Sequence, residues 1–431
     1  MRGNYRWVRS LVLALPVLLL AGPESSWARE NMLSGSLALR QEYDSNTNLS
    51  ARDRRSGWYS VLAPGFTYSS RGPRDQLQIG YNLGFKWNHS DSEESLEHDF
   101  LIRGDTELSP RWQAGFLNRF YLSDDSDYAG APIPEVDPEL SARRERERFQ
   151  LNIFSVHSNH RFAEHGDLKL GYENRILRNR EGTRDDYTRH HPNLTVGYQL
   201  NEQWRTEAGY GYIRGDFDRE DDLETHAADL RLVYQHSHRD QFFAGYGFNE
   251  TTYKGITPDY RLHSLTGGWS RQFDPHTTLS TSAGVTRVKR DNRSDSDYLA
   301  LAAELTRQFL WGAISLAGAA GIDERQFNGG DEEDLARYRQ VRLSGNRQLR
   351  ERLRGDLAFS WRENDFIDRV ANDRERIYEA HGGLAYALGR DYEISTRYRY
   401  KELDVRDSND DGYQDHRLML EFRVIRDLFK W

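Results

Sequence analysis

From about residue 35 to its last residue, Trp431, the chain alternates apolar and polar residues in about twenty short, evenly spaced segments. Between Gln76 and Trp87, for example, Leu77, Ile79, Tyr81, Leu83, Phe85 and Trp87 fall on one side, and Gln76, Gln78, Gly80, Asn82, Gly84 and Lys86 on the other. Successive side chains of a strand point to opposite faces, so each segment has one greasy face and one wet face. A soluble sandwich would end its strands sooner, and here the greasy face is rich in Tyr, Trp and Phe. The pattern predicts an all-β chain: a transmembrane, antiparallel, up-and-down β-barrel with lipid outside and water inside.

The first 28 residues have the form of a cleaved secretory signal peptide. Arg2, Arg6 and Arg9 make a positive start, Leu11 to Ala21 is a short apolar run, and Ser26-Trp27-Ala28 is a small-x-small cleavage site. No later run approaches the roughly 20 apolar residues of a membrane helix. With no cysteine, the chain has no lipoprotein attachment site, disulfide framework, Cys-ligated metal or c-type haem.

Mean hydropathy of −0.86 and 29% charged residues would suit a soluble or disordered chain. Disorder conflicts with 12% aromatic residues, among them 24 Tyr. A barrel reconciles these numbers, because only alternate strand residues meet lipid and the loops are polar. The net charge of −9 argues against a nucleic-acid partner. No linker or shift of composition divides residues 29–431, which are expected to form one domain.

Turn signals alternate between short and long. Short connections fall near Arg71–Arg74, Ser109-Pro110, Glu164–Gly166, Asn201-Glu202, His238–Asp240, Asp274–His276, Trp311-Gly312, Arg350–Arg352 and Gly389–Asp391. Long polar connections fall near 44–56, 89–95, 123–146, 178–187, 215–224, 250–258, 289–297, 325–336, 364–374 and 404–413. These nine short and ten long connections imply 20 strands, within a range of 18–20 since Ala313 to Asp323 is weakly patterned. Such alternation is the mark of outer-membrane barrels, with both termini expected in the periplasm. Trp58, Tyr59, Trp87, Trp112, Trp204, Trp269, Trp311 and Trp361 crowd the strand ends, as interfacial girdles do. Arg426, Asp427 and Lys430 break the register of the last segment, so its strand is expected to end near Val424.

Arg or Lys at the lipid midplane costs roughly 2–4 kcal/mol, so mid-strand charges must line the interior. Lys86, Arg103, Lys169, Arg175, Arg231, Arg397, Arg399, Arg417 and Arg423 are therefore expected to line a pore, interleaved with Asp99, Asp105, Glu107, Glu173 and Glu421. Arginine forks grip carboxylates and phosphates, so such a wall would suit anionic solutes or an acidic polysaccharide. Cross-strand ion pairing in a wet lumen would use the same residues, and the mixed sign argues against strong anion selectivity. The longest loop, Ser123 to Arg148, turns from acidic (Asp124, Asp125, Asp127) to basic (Arg143, Arg144, Arg146, Arg148), and either folds inward as a constriction or stays solvated outside.

Asp407-Ser408-Asn409-Asp410-Asp411-Gly412 has the spacing of a calcium loop, with Asp407, Asn409, Asp411 and Asp415 as candidate ligands. Leu418 stands where the bidentate Glu would be, and an ordinary solvated turn would look the same. No other cofactor is implied. No G-x-S-x-G or H-E-x-x-H occurs, and the chain is not expected to be an enzyme.

Arg40-Gln41-Glu42-Tyr43-Asp44-Ser45-Asn46-Thr47-Asn48-Leu49, a first strand ending in Tyr-Asp-Ser-Asn-x-Asn, resembles the outer-membrane β-barrel porin family associated with exopolysaccharide export. It also resembles the barrel of surface lipoprotein assembly modulators, but those carry a helical repeat domain for which this chain has no room. The resemblance implies a passive conduit for secreted exopolysaccharide, with outer-membrane lipid, the polymer and periplasmic export components as partners. A general diffusion porin for small solutes is the second reading, and a plugged structural or docking barrel the third.

Overall fold

A computed structural model describes residues 29–91, 94–124, 148–180, 185–291, 294–327, 335–367, 374–405 and 412–431. The leader, most of the 123–148 loop and the candidate calcium ligands Asp407, Asn409 and Asp411 lie outside the described residues.

The alternating segments form β1 (Glu30–Asp44), β2 (Gly57–Arg71), β3 (Asp75–Asn88), β4 (Glu94–Ser109), β5 (Trp112–Ser123), β6 (Phe149–Arg161), β7 (Gly166–Asn179), β8 (Tyr187–Gln199), β9 (Trp204–Phe217) and β10 (Leu223–Gln235). The second half of the wall is β11 (Asp240–Tyr253), β12 (Tyr260–Asp274), β13 (Thr277–Arg290), β14 (Ser296–Phe309), β15 (Gly312–Glu324), β16 (Leu335–Arg350), β17 (Leu353–Phe366), β18 (Arg374–Ala387), β19 (Tyr392–Val405) and β20 (Tyr413–Lys430). Each strand pairs antiparallel with its sequence neighbours, and β20 pairs with β1, so all twenty close into one barrel without an edge. Closure matters because an unpaired backbone edge in hydrocarbon costs several kcal/mol per group. Connections of two to four residues gather at one end with both termini, and those of five or more at the other. These are called below the turn end and the long-loop end.

Pairing fixes the two faces. Leu77 to Trp87 of β3 lie outward at every second position, in register with Leu62 and Phe66 of β2 and with Leu96, Phe100 and Ile102 of β4. Large apolar side chains stand bare on this outer face, Leu230 at 54%, Leu265 at 65% and Leu357 at 69% exposure, as a lipid-facing wall requires. Tryptophans form two girdles: Trp58, Trp87 and Trp361 toward the long loops, and Trp112, Trp204, Trp269 and Trp311 toward the turns. Tyr59 does not join them. Its register partner Glu42 places it on the inner face, 6% exposed, with the Lys86 ammonium 4.6 Å over its ring.

Histidines complete the girdle on the long-loop side. The hydroxyls of Tyr81, Tyr172, Tyr210, Tyr246 and Tyr398 each hydrogen-bond Nδ1 of a histidine on the next strand, His98, His190, His226, His263 and His416, at 2.7–2.9 Å. A phenol or imidazole turned toward lipid needs a partner for its polar atom, and the diagonal neighbour across the strand pair supplies it.

Two expectations change. The weakly patterned stretch from Ala313 to Asp323 is a full strand, β15, paired with β14 and β16. The last strand does not stop near Val424 but runs to Lys430. A bulge between Leu33 and Ser34 pairs Ser34 with Asp427 and Leu33 with Phe429, skipping Leu428 and absorbing the broken pattern. Trp431 exchanges two backbone hydrogen bonds with Asn31 and stacks on Tyr68 at 6.2 Å, locking the seam to its last residue.

Candidate functional site

All nine cations expected to line the pore lie on the inner face by register, and they divide by height. Arg103, Lys169, Arg231 and Arg397, nearer the turn end, are exposed to the lumen. The Arg231 guanidinium lies 4.1 Å over the Phe243 ring. Arg399 pairs with Glu379 at 3.4 Å and Arg423 with Glu421 at 2.7 Å. Nearer the long loops the inner cations are buried. Lys86 sits between Glu97 at 3.9 Å and Asp124 at 3.0 Å. Arg417 sits between Asp44 at 3.1 Å and Asp415 at 2.9 Å. Arg175 is buried beside its register partner Arg189, which pairs with Glu173 at 2.5 Å. Asp415, a candidate calcium ligand, thus faces inward in an ion pair. No cluster of metal-ligating side chains occurs among the described residues. The expected acids also face inward: Asp99 pairs with Arg119 at 3.4 Å, and Asp105 lies 3.4 Å from His157.

The lining is uneven around the circumference. From β12 to β15 the inner face carries Ser264, Thr266, Ser270, Ser280, Ser282, Thr306 and Ser315 among Gly and Ala, with Glu304 the lone carboxylate on these strands below the rim. From β16 to β20 it carries Arg342, Arg354, Arg397, Arg399 and Arg423 with Asp356, Glu379, Glu393 and Glu421. One arc of the lumen is a neutral hydroxyl surface and the arc beside it is densely ionic.

At the long-loop end the lumen narrows onto apolar side chains. Tyr121, Phe149, Leu151, Leu177, Tyr187 and Leu223 point inward from β5 to β10 and are 0–8% exposed. A second inner cluster, Tyr260, Leu262, Val288 and Leu335, extends the ring to β16. Residues 325–327, following β15, fold inward to reach both. Arg325 pairs with Glu375 of β18 at 2.7 Å, and Glu375 also accepts a hydrogen bond from Asn364 at 2.8 Å. The Gln326 amide donates to Thr251 of β11 and to the Tyr260 hydroxyl of β12. Phe327 packs edge-on to Tyr187 of β8 at 5.2 Å and stacks on Phe217 of β9 at 5.4 Å, with the Arg189 guanidinium 5.0 Å over its ring. A Cβ on Gly215 would lie 2.9 Å from Phe327 Cζ, so the glycine makes room for the ring. Three consecutive residues therefore strap the mouth from β18 across to β8 and β9.

Sequence reasoning placed the candidate constriction in the loop from 123 to 148. There, Asp124 holds Lys86 and Arg148 donates to the Leu96 carbonyl at 2.7 Å, while the stretch between lies outside the described residues. It missed the strap, because Arg325-Gln326-Phe327 has no local pattern and its partners stand 50 to 140 positions away. The rim around the strap is braced from loop to loop. Asp185 accepts hydrogen bonds from the backbone amides of Asp218, Arg219 and Glu220 at 2.9–3.1 Å. Asp221 accepts from the Thr257 amide at 2.9 Å and hydroxyl at 2.8 Å, which holds its carboxyl below the usual carboxylate range.

A family model described as "Putative beta-barrel porin 2" matches residues 336–426, which run from β16 to β20. No curated protein matches the sequence. Among solved structures, the siderophore receptor PirA of Acinetobacter baumannii is 10% identical, with 91% of this chain and 80% of that chain covered and a TM-score of 0.50. OccK2 (OpdF) of Pseudomonas aeruginosa, solved in complex with glucuronate, is 10% identical, with 93% and 98% covered and a TM-score of 0.44. OprD of the same organism is 10% identical, with 92% and 96% covered and a TM-score of 0.39. The likeness to these structures is one of fold, and the family model matches only the last part of the wall.

Proposed function

We propose that this barrel is a porin through which small polar solutes diffuse passively, its long-loop end at the cell surface and both termini in the periplasm. The observation that carries this reading is the shape of the lumen: a wet wall of exposed Arg103, Lys169, Arg231 and Arg397 that narrows to an apolar mouth spanned by Arg325, Gln326 and Phe327. Barrels of 16–18 strands already leave an aqueous channel, so twenty strands need an internal element to restrict passage. A polymer in transit requires a bore held open along its whole length, and the strap stands in that path. The exopolysaccharide conduit implied by the first-strand resemblance is therefore the weaker reading of cargo. Paired charge on one arc and hydroxyls on the other suit hydrophilic solutes of either sign.

Reconstituted barrel should give a small, steady conductance in planar bilayers. Proteoliposomes should swell in monosaccharides and small sugar acids and fail to swell in oligosaccharides of more than a few units. Free passage of long oligosaccharides would return the polymer reading to first place, and absence of any conductance would favour the docking barrel.

A further inference from the structure

The outer face carries a feature that neither pore transport nor closure of the barrel uses. On β16, β17 and β18, directly beyond the outward row Val341, Trp361 and Tyr378, two rows of ionised residues lie side by side in strand register. Arg339, Glu363 and Arg376 form the first row, and Arg337, Asp365 and Arg374 the second. In each row one carboxylate is flanked by two arginines. Glu363 lies 3.5 Å from Arg339, 2.8 Å from Arg376 and 3.8 Å from Arg374. Asp365 lies 2.6 Å from Arg337 and 2.8 Å from Arg374. The carboxylates are sunk, with side chains 7% and 20% exposed, while the guanidiniums remain 26–53% exposed. Asp404 of β19, 3.9 Å from Arg376, is the one further acid within ion-pair distance among the described residues.

Four arginines are thus held in fixed orientation by two acids beneath them, and with Asp404 counted the described residues of the patch still carry one more cation than acid, on the outer wall just past its aromatic girdle. Among the described residues, ion pairs elsewhere on this outer rim are one to one, such as Arg287 with Asp297 at 2.7 Å and Arg261 with Glu250 at 2.6 Å. Exposed guanidiniums cannot face hydrocarbon, and at this height they meet headgroups. Guanidinium forks bind phosphate oxygens two at a time, and two rows of them suit two phosphates. We infer that this patch is a docking site for a bisphosphorylated glycolipid of the surrounding leaflet, with its sugars over Trp361 and Tyr378 and its acyl chains along Val341, Leu343 and Phe359. The inference rests on the barrel spanning a membrane with its long loops at the glycolipid leaflet, and is independent of what the pore conducts.

The test uses full barrel, folded in neutral phospholipid nanodiscs and titrated with bisphosphorylated lipid A, the same glycolipid stripped of phosphate, or inorganic phosphate as competitor. Bound glycolipid per barrel is counted by native mass spectrometry, and heat-modifiable gel mobility reports folding separately. Replacing all four arginines (R337Q/R339Q/R374Q/R376Q) should weaken lipid A binding by at least about tenfold. The balanced pair variant R287Q/D297N should leave it unchanged. If the quadruple variant does not fold, R339Q alone, at the most exposed of the four, should still weaken binding about threefold. Equal binding by wild type and arginine variants, or equal retention of the dephosphorylated glycolipid, would reduce the patch to a rim ion-pair network. Displacement by millimolar inorganic phosphate would show a plain anion site and overturn the lipid assignment. A barrel that inserts and conducts yet retains no lipid A refutes only the docking site, whereas failure to insert refutes the membrane reading itself.

Discussion

At the residue scale, the strap depends on two contacts with different physics. Glu375 is 1% exposed and pairs with Arg325 at 2.7 Å, so removing the cation breaks a buried ion pair, with the Asn364 hydrogen bond to the carboxylate kept. Arg325→Met should therefore cost about 3–5 kcal/mol locally and free the strap, read as larger and noisier single-channel conductance. Phe327 acts by packing instead. Phe327→Ala removes both aromatic contacts and should widen the mouth with the charge pairs intact, raising conductance without new noise. Gly215→Leu, whose side chain would occupy the ring's place, should mimic it, and unchanged conductance in both would remove the strap from the solute path. At Asp221, hydrogen bonds from Thr257 hold the folded-state pKa below the unfolded value. Its contribution is present above the unfolded pKa and is lost as pH falls through the depressed one. The protection factor of the Thr257 amide, the slowing of its exchange relative to an unstructured peptide at the same pH, should fall as pH drops through that acidic window and stay flat in Asp221→Asn.

Within a single strand, the two faces should respond oppositely to one kind of change. Leu230 on the outer face of β10 is 54% exposed and Arg231 beside it faces the lumen. Leu230→Arg should lower unfolding free energy in lipid by about 2–4 kcal/mol, while Arg231→Leu should be nearly silent in stability. Equal costs would contradict the assignment of faces. That assignment was legible in the sequence, since a period of two and the placement of charge need no knowledge of partners. The alternation of short and long connections likewise predicts about twenty strands, within the range 18–20, and the wall has twenty. The five Tyr–His pairs were missed although a signal existed: tyrosine is followed by histidine 16–18 residues later in every case. Reading it requires knowing the hairpin register, because only across a paired strand do those positions become diagonal neighbours. Tyr59 was misassigned for a related reason. One place away from Trp58 it belongs to the opposite face, and an aromatic ring alone does not report which face it occupies.

For the whole molecule, the seam is where twenty strands become a cylinder, and its far end depends on the last residues. β20 meets β1 along Met32 to Asp44, and the bulge at Leu428 lets Phe429 and Trp431 reach the outer face despite Arg426 and Asp427. Deleting residues 425–431 would leave Met32 to Ser36 paired with β2 alone, their other edge open. Such a chain should fail to give the compact, heat-modifiable band in gels while retaining β-structure by circular dichroism. The strap escaped prediction at this same scale, since its meaning lies in joining strands far apart around the circumference, which no local window contains. The uneven lining has a last consequence. With fixed ionic groups crowded on one arc and hydroxyls on its neighbour, the electric field inside cannot be symmetric about the long axis. A molecule carrying a dipole would be turned to one preferred attitude on entry and held there while it crosses. Two isomers of equal size and charge, differing only in where that charge sits, would then traverse at different speeds.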